Sequence, residues 1–83
     1  MARIFSLKVV TPEGSRIEAE VESLVLPGQA GSLGVLVSHE PWTVLLKQGN
    51  VSYKKPGGEW ENVPIGAGVA SIEGNRTVVL ADS

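Results

Sequence analysis

Apolar and polar residues alternate along most of this 83-residue chain, and a period of two marks strands with one buried and one wet face. Ile4 to Val10 is the first such run, with Phe5, Leu7 and Val9 on one side. Thr11-Pro12-Glu13-Gly14 reads as a turn, because proline presets the φ that a second turn position requires. Ile17, Ala19 and Val21 then alternate with Glu18, Glu20 and Glu22. Three carboxylates on one strand face read as a solvated surface rather than a metal or acid–base cluster. Beyond Glu22 the apolar phase moves to Leu24 and Leu26, which predicts a bulge or corner near Ser23 where the chain turns between sheets.

Pro27 to Gly34 is a glycine-rich loop. Trp42 to Leu46 is nearly continuous apolar, the pattern of a strand buried on both sides or lying at a barrel seam. Gln48-Gly49-Asn50 turns the chain into Val51–Lys55, and Pro56-Gly57-Gly58-Glu59 turns it again into Trp60–Ile65. Pro64 cannot donate to a ladder, so its strand belongs at an edge or ends there. Gly66-Ala67-Gly68 predicts a close-packed kink before Val69–Ile72. Glu73-Gly74-Asn75 then closes a hairpin onto Thr77–Leu80. No segment carries helical periodicity with caps. The prediction is an all-β fold with almost no helix, a monomer in isolation, in one domain spanning residues 1–83.

Composition narrows the function classes. A chain this short buries only about 60% of its unfolded surface, so its stability margin is thin. A net charge of −2 gives no electrostatic reason to expect nucleic acid or an anionic membrane as partner. There is no cysteine, hence no disulfide framework and no thiolate metal site. Met1 to Lys8 lacks the apolar segment of a signal peptide, and no apolar run approaches the roughly 20 residues of a membrane helix. The expected compartment is the cell interior, with no direct membrane insertion.

Candidate chemistry is sparse. His39 is the only histidine; a general base needs a nucleophile, an orienting carboxylate or a metal beside it, and adjacent Glu40 points the other way in an extended chain. Gly28, Gly31 and Gly34 resemble a phosphate cradle only superficially, because Val-Leu-Val follows instead of a lysine and a helix N-terminus. Lys47, Lys54 and Lys55, with Tyr53 among them, are too few for a single-strand-binding groove. Both tryptophans read as core or edge cover, with Trp42 alternatively an exposed anchor in a protein interface. The glycine loop is thus a shaped contact surface, and no catalytic, cofactor or metal residue is assigned.

The run Gly28, Gly31-Ser32-Leu33-Gly34, His39, Pro41, Leu45 and Gly49 resembles the epsilon-subunit family of F-type ATP synthases. So do Leu7–Glu13, Val21–Gly28, Ile65-Gly66-Ala67-Gly68-Val69 and Asn75–Asp82. Departures are Ser32 where the family usually has an acidic residue, Val37-Ser38 for Pro-Gly, Trp42 for leucine and Ala67 for the first glycine of a pair. The resemblance implies a flattened ten-stranded β-sandwich or barrel acting as a non-catalytic subunit of the rotating central stalk. It implies the gamma subunit and the loops of the membrane c-ring as partners, at the cytoplasmic face of the inner membrane. Gly31, Ser32, Leu33, Gly34, His39, Pro41 and Trp42 would be interface residues, and no cofactor is expected. Most members continue into a carboxy-terminal helical hairpin to which nucleotide binding in the family belongs; this chain ends where that hairpin would begin, and the expectation is a single domain without it. The alternative is a free-standing β-barrel module that binds a ligand or peptide.

Overall fold

The computed structural model describes residues 4–35 and 41–83. The described residues form nine strands and no helix: β1 (Phe5–Thr11), β2 (Gly14–Val21), β3 (Ser23–Gly28), β4 (Gly31–Val35), β5 (Trp42–Leu46), β6 (Gly49–Lys54), β7 (Trp60–Ile65), β8 (Gly68–Glu73) and β9 (Arg76–Ala81). The all-β expectation holds, with nine strands described where the resemblance implies ten. Hydrogen bonding links them in the order β2-β1-β9-β8-β5-β3-β6-β7, with β4 on β3. β1 and β9 run parallel; the other pairs are antiparallel.

The sheet folds into two layers because one junction in it is thin. β5 lies along the whole of β8 but meets β3 only at Gly28 and Leu46, flanked by bonds from Lys47 N to Pro27 O (2.9 Å) and Gln29 N to Leu45 O (3.1 Å). The predicted corner is the second crossing. Val21 and Leu24 are both buried, so the inward parity breaks between β2 and β3, and the chain passes from pairing β1 to pairing β6. Glu22 at this corner is half-buried rather than on the wet face with Glu18 and Glu20. Its carboxylate accepts a hydrogen bond from Lys54 Nζ, and its N–H donates to Lys54 O at 2.8 Å.

The core lies between the layers, as the alternation requires. Phe5, Leu7 and Val9 of β1, Leu24 and Leu26 of β3, Val51 and Tyr53 of β6, Ala70 and Ile72 of β8 and Val79 of β9 are all buried. A bulge leaves Arg16 without an opposite residue, Val9 facing Ile17 and Val10 facing Ser15. The extra residue re-aims its side chain, and Arg16 Nη1 donates to Pro64 O at 2.7 Å, tying one end of the strand order to the other. Pro64 stands on an edge strand as expected.

Two turns follow their residues closely. Lys55–Gly58 closes with Gly58 N to Lys55 O at 2.9 Å, Pro56 second and Gly57 third at φ +71°, the type II pattern. Gly74 at φ +57° leads the two-residue loop between Glu73 and Arg76. The chain bends at Gln48, while Gly49 and Asn50 are already in β6 opposite Ile65 and Pro64, so the expected three-residue turn is shorter than read.

The pairing at the corner gives the fold a pH dependence. The hydrogen bond from Lys54, and secondarily its charge, holds the Glu22 carboxyl below its ordinary value of 4.5, with burial working against it. A carboxyl lowered in the folded state stabilises above its unfolded value and loses that contribution as pH falls through the folded one. Glu22→Gln is therefore expected to lower the melting temperature at pH 7 and to matter progressively less below about pH 4. Thermal melts of both proteins across pH 7 to 3 check this; a constant gap would contradict it.

Candidate functional site

The glycine-rich segment is the β3–β4 hairpin. Gly28 pairs with Gly31, and a side chain at Gly28 would lie 2.8 Å from Gly31 O. Gly31 sits at φ +134°, a conformation natural to glycine alone. These constraints shape a tight hairpin whose outer end stands beside the start of β5.

Between them runs an open groove of about 430 Å³, lined by Gly28, Gln29, Ala30, Gly31, Ser32, Leu33 and residues Trp42–Leu45. Four of the sequence-assigned contact residues, Gly31, Ser32, Leu33 and Trp42, therefore share one concave surface. Gly34 is exposed one position further along β4, and Pro41 is exposed just ahead of β5. His39 lies outside the described residues. None of the groove's lining residues is charged.

β5 departs from expectation in its burial. It does lie at the seam, but it is not covered on both sides: Trp42 is 50% and Leu45 60% exposed. Only Leu46 is buried, where it meets Gly28. Trp60 on edge strand β7 is likewise exposed, so neither tryptophan belongs to the core. Tyr53 is buried, which removes it as a stacking platform; burial first, then Glu61, raises its phenol above the ordinary 10.

One surface was missed by the sequence reading. On the outward face, Leu45 pairs with Val69, Val69 with Leu80, and Leu80 with Val10. This makes an apolar row across β5, β8, β9 and β1 that joins the groove at Leu45. Leu80 is 52% exposed. The signal was present: once Thr77, Val79 and Ala81 are assigned inward, Leu80 must point outward. Charged groups pair elsewhere, Lys8 with Glu18 at 3.7 Å and Lys55 with Glu61 at 4.0 Å.

Among the described residues, no three side chains of metal-binding type converge, and no helix is long and apolar enough to cross a membrane. The groove and row offer shape, backbone and apolar area, which suit them to holding another polypeptide.

Comparisons with known proteins agree with this geometry. The family profile described as "ATP synthase, Delta/Epsilon chain, beta-sandwich domain" matches residues 4–83. The chain is 37% identical over 78 residues to an ATP synthase epsilon chain of Anaeromyxobacter sp. (strain Fw109-5), covering 94% of this chain and 58% of that one. It is 39% identical over 83 residues to the epsilon chain of Desulfatibacillum aliphaticivorans, covering all of this chain and 59% of that one. It thus spans less than two thirds of these relatives' length. Among solved structures, a chain of the Euglena gracilis mitochondrial ATP synthase (OSCP/F1/c-ring) superposes with a TM-score of 0.83 at 19% identity, covering 93% of this chain and 49% of that one. A chain from the central stalk/c-ring structure of the Tetrahymena thermophila enzyme gives 0.70 at 14% identity, covering 94% and 63%. At those identities the superpositions speak for the fold.

Proposed function

The chain belongs to the ATP synthase delta/epsilon β-sandwich family, and from that premise we propose that it is a non-catalytic rotor subunit of the central stalk, linking the gamma subunit to the c-ring. The observation that carries the reading is the uncharged surface running from the β3–β4 hairpin through Leu45 to Leu80. Exposed, contiguous apolar area of this kind is used for association between proteins. In isolation the chain is a monomer; in the complex it is peripheral, at the cytoplasmic face of the inner membrane, and needs no cofactor.

The relatives' printed name and the stalk and ring context of the structural neighbours support the partner assignment. The test is binding. The chain is expected to co-purify with gamma and the c-ring, and Leu45→Asp with Leu80→Asp to weaken that association about tenfold or more. Because both side chains are more than half exposed, the melting temperature should change little. Unaltered association by the double variant would reject this surface as the stalk contact.

Nucleotide recognition should be absent from this domain. Gly31 and its neighbours enter strand β4 rather than a helix, so among the described residues no helix N-terminus faces the loop to hold a phosphate. Calorimetric titration of the 83-residue chain with millimolar Mg-ATP is expected to give no saturable heat; a sub-millimolar dissociation constant would contradict it.

A further inference from the structure

The apolar row on the outward face is narrow. Leu45, Val69, Leu80 and Val10 stand side by side on β5, β8, β9 and β1, so the row crosses the strands rather than following them. Two residues along each strand to one side, the same face carries Thr43, Ser71, Val78 and Lys8. Two residues to the other side stand Lys47, Ala67 and Asp82, all exposed. On β2 the row ends at Ser15, opposite Val10. It is thus one residue wide and spans about 14 Å, at the usual spacing of ~4.8 Å between neighbouring strands.

A segment lying along this row must offer an apolar side chain at nearly every strand spacing. In an extended chain the residues of one face recur every ~6.6 Å, which falls out of step by roughly 5 Å after three strands. Along an α-helix the apolar positions of one seam recur on average every 3.5 residues, or about 5.3 Å. Over the same length that seam drifts by only roughly 1.5 Å. The polar borders set a second condition, because they accept a seam with polar flanks and not a helix apolar all round. Lys47, on the border next to Leu45, enters no ion pair among the described residues, so a carboxylate on the flank would complement it.

From this match we infer that the row is covered by an amphipathic α-helix of the gamma subunit. The helix lies across the strands, sets apolar residues at i, i+3 or i+4, and i+7 on the row, and carries an acidic residue beside Lys47. The inference rests on the rotor reading above and names the element that makes the contact. Of the two partners in that reading, the ring's membrane-spanning helices are predominantly apolar, so a seam with polar flanks assigns the row to gamma.

Photo-crosslinking tests the geometry. The chain has no cysteine, so Leu45→Cys and Leu80→Cys can each carry a short thiol-linked diazirine, and both positions are more than half exposed. Melting curves check that the fold is retained. With purified gamma bound, mass spectrometry should place the two crosslinks on one segment about seven residues apart, as a helix requires. Crosslinks about three residues apart, or on separate segments, overturn the helix and leave the rotor reading intact. Binding of gamma without a crosslink from either position, or no binding at all, overturns both this inference and the surface it rests on. As a second arm, Lys47→Glu should weaken gamma binding about tenfold at low salt and less at high salt, while Lys55→Glu, on the turn between β6 and β7, leaves it unchanged. Equal binding by these two variants would overturn the acidic flank.

Discussion

Replacing Gly68 by alanine will lower the melting temperature of this domain by roughly 10–20 °C, from a cost of about 2–3 kcal/mol. Gly68 opens β8 opposite Ala81 of β9. A Cβ there would overlap Leu80 O and stand 2.8 Å from Ala81 Cα. Those are backbone atoms inside a ladder, so relief requires the two strands to part or slide. Gly66, two residues earlier, is the control. A Cβ at Gly66 would meet the side chains of Asp82 and Ser83, whose ends can rotate away, so Gly66→Ala should stay close to wild type. Paired thermal melts decide the matter, and equal effects at the two glycines would refute the explanation.

Leu26→Ala is the other severe change. Leu26 is fully buried on β3, facing Leu33 across the hairpin, and cavity-forming leucine substitutions cost about 2–5 kcal/mol. A domain of this size has a total stability on the order of 4–12 kcal/mol. The variant should therefore lose a large share of its stability, read as a clearly lowered midpoint in a denaturant titration. Leu80→Ala, on the outward face, removes the same atoms and is expected to cost within about 0.5 kcal/mol. If the two behaved alike, the division between core and contact surface drawn here would fail.

That division is also where the sequence stopped being legible. Strands whose outer face is polar announce their parity, which is why β1 and β2 stood out with Leu7 against Lys8 and Ala19 against Glu18. β5 does not: Trp42, Val44, Leu45 and Leu46 look like a strand covered on both sides. Burial in a core and burial against a partner select the same side chains, so no pattern within one chain separates them. The corner at Ser23 was readable because a slip of parity has no other cheap explanation. The bulge at Arg16 was hidden, since Ser15 and Arg16 are both polar and neither registers a change of face. The Gly31-to-Leu33 segment was expected from its glycines to be a contact surface; that it forms one arm of a hairpin with Pro27 opposite Ser32 is a pairing that only the register reveals.

The parallel ladder between β1 and β9 bears on how the domain is made. Ser6 faces Arg76 and Val10 faces Leu80, so the first strand waits beside an empty position until the last has been synthesised. On a ribosome delivering about 5–20 residues each second, the layer holding β1 and β2 stays incomplete for several seconds after its own residues emerge. Contacts this far apart in sequence also make folding slow, on the millisecond-to-second scale of non-local β proteins. The β1–β2 hairpin spends that interval with Phe5, Leu7 and Val9 uncovered, and it is the stretch where a chaperone would find its earliest target.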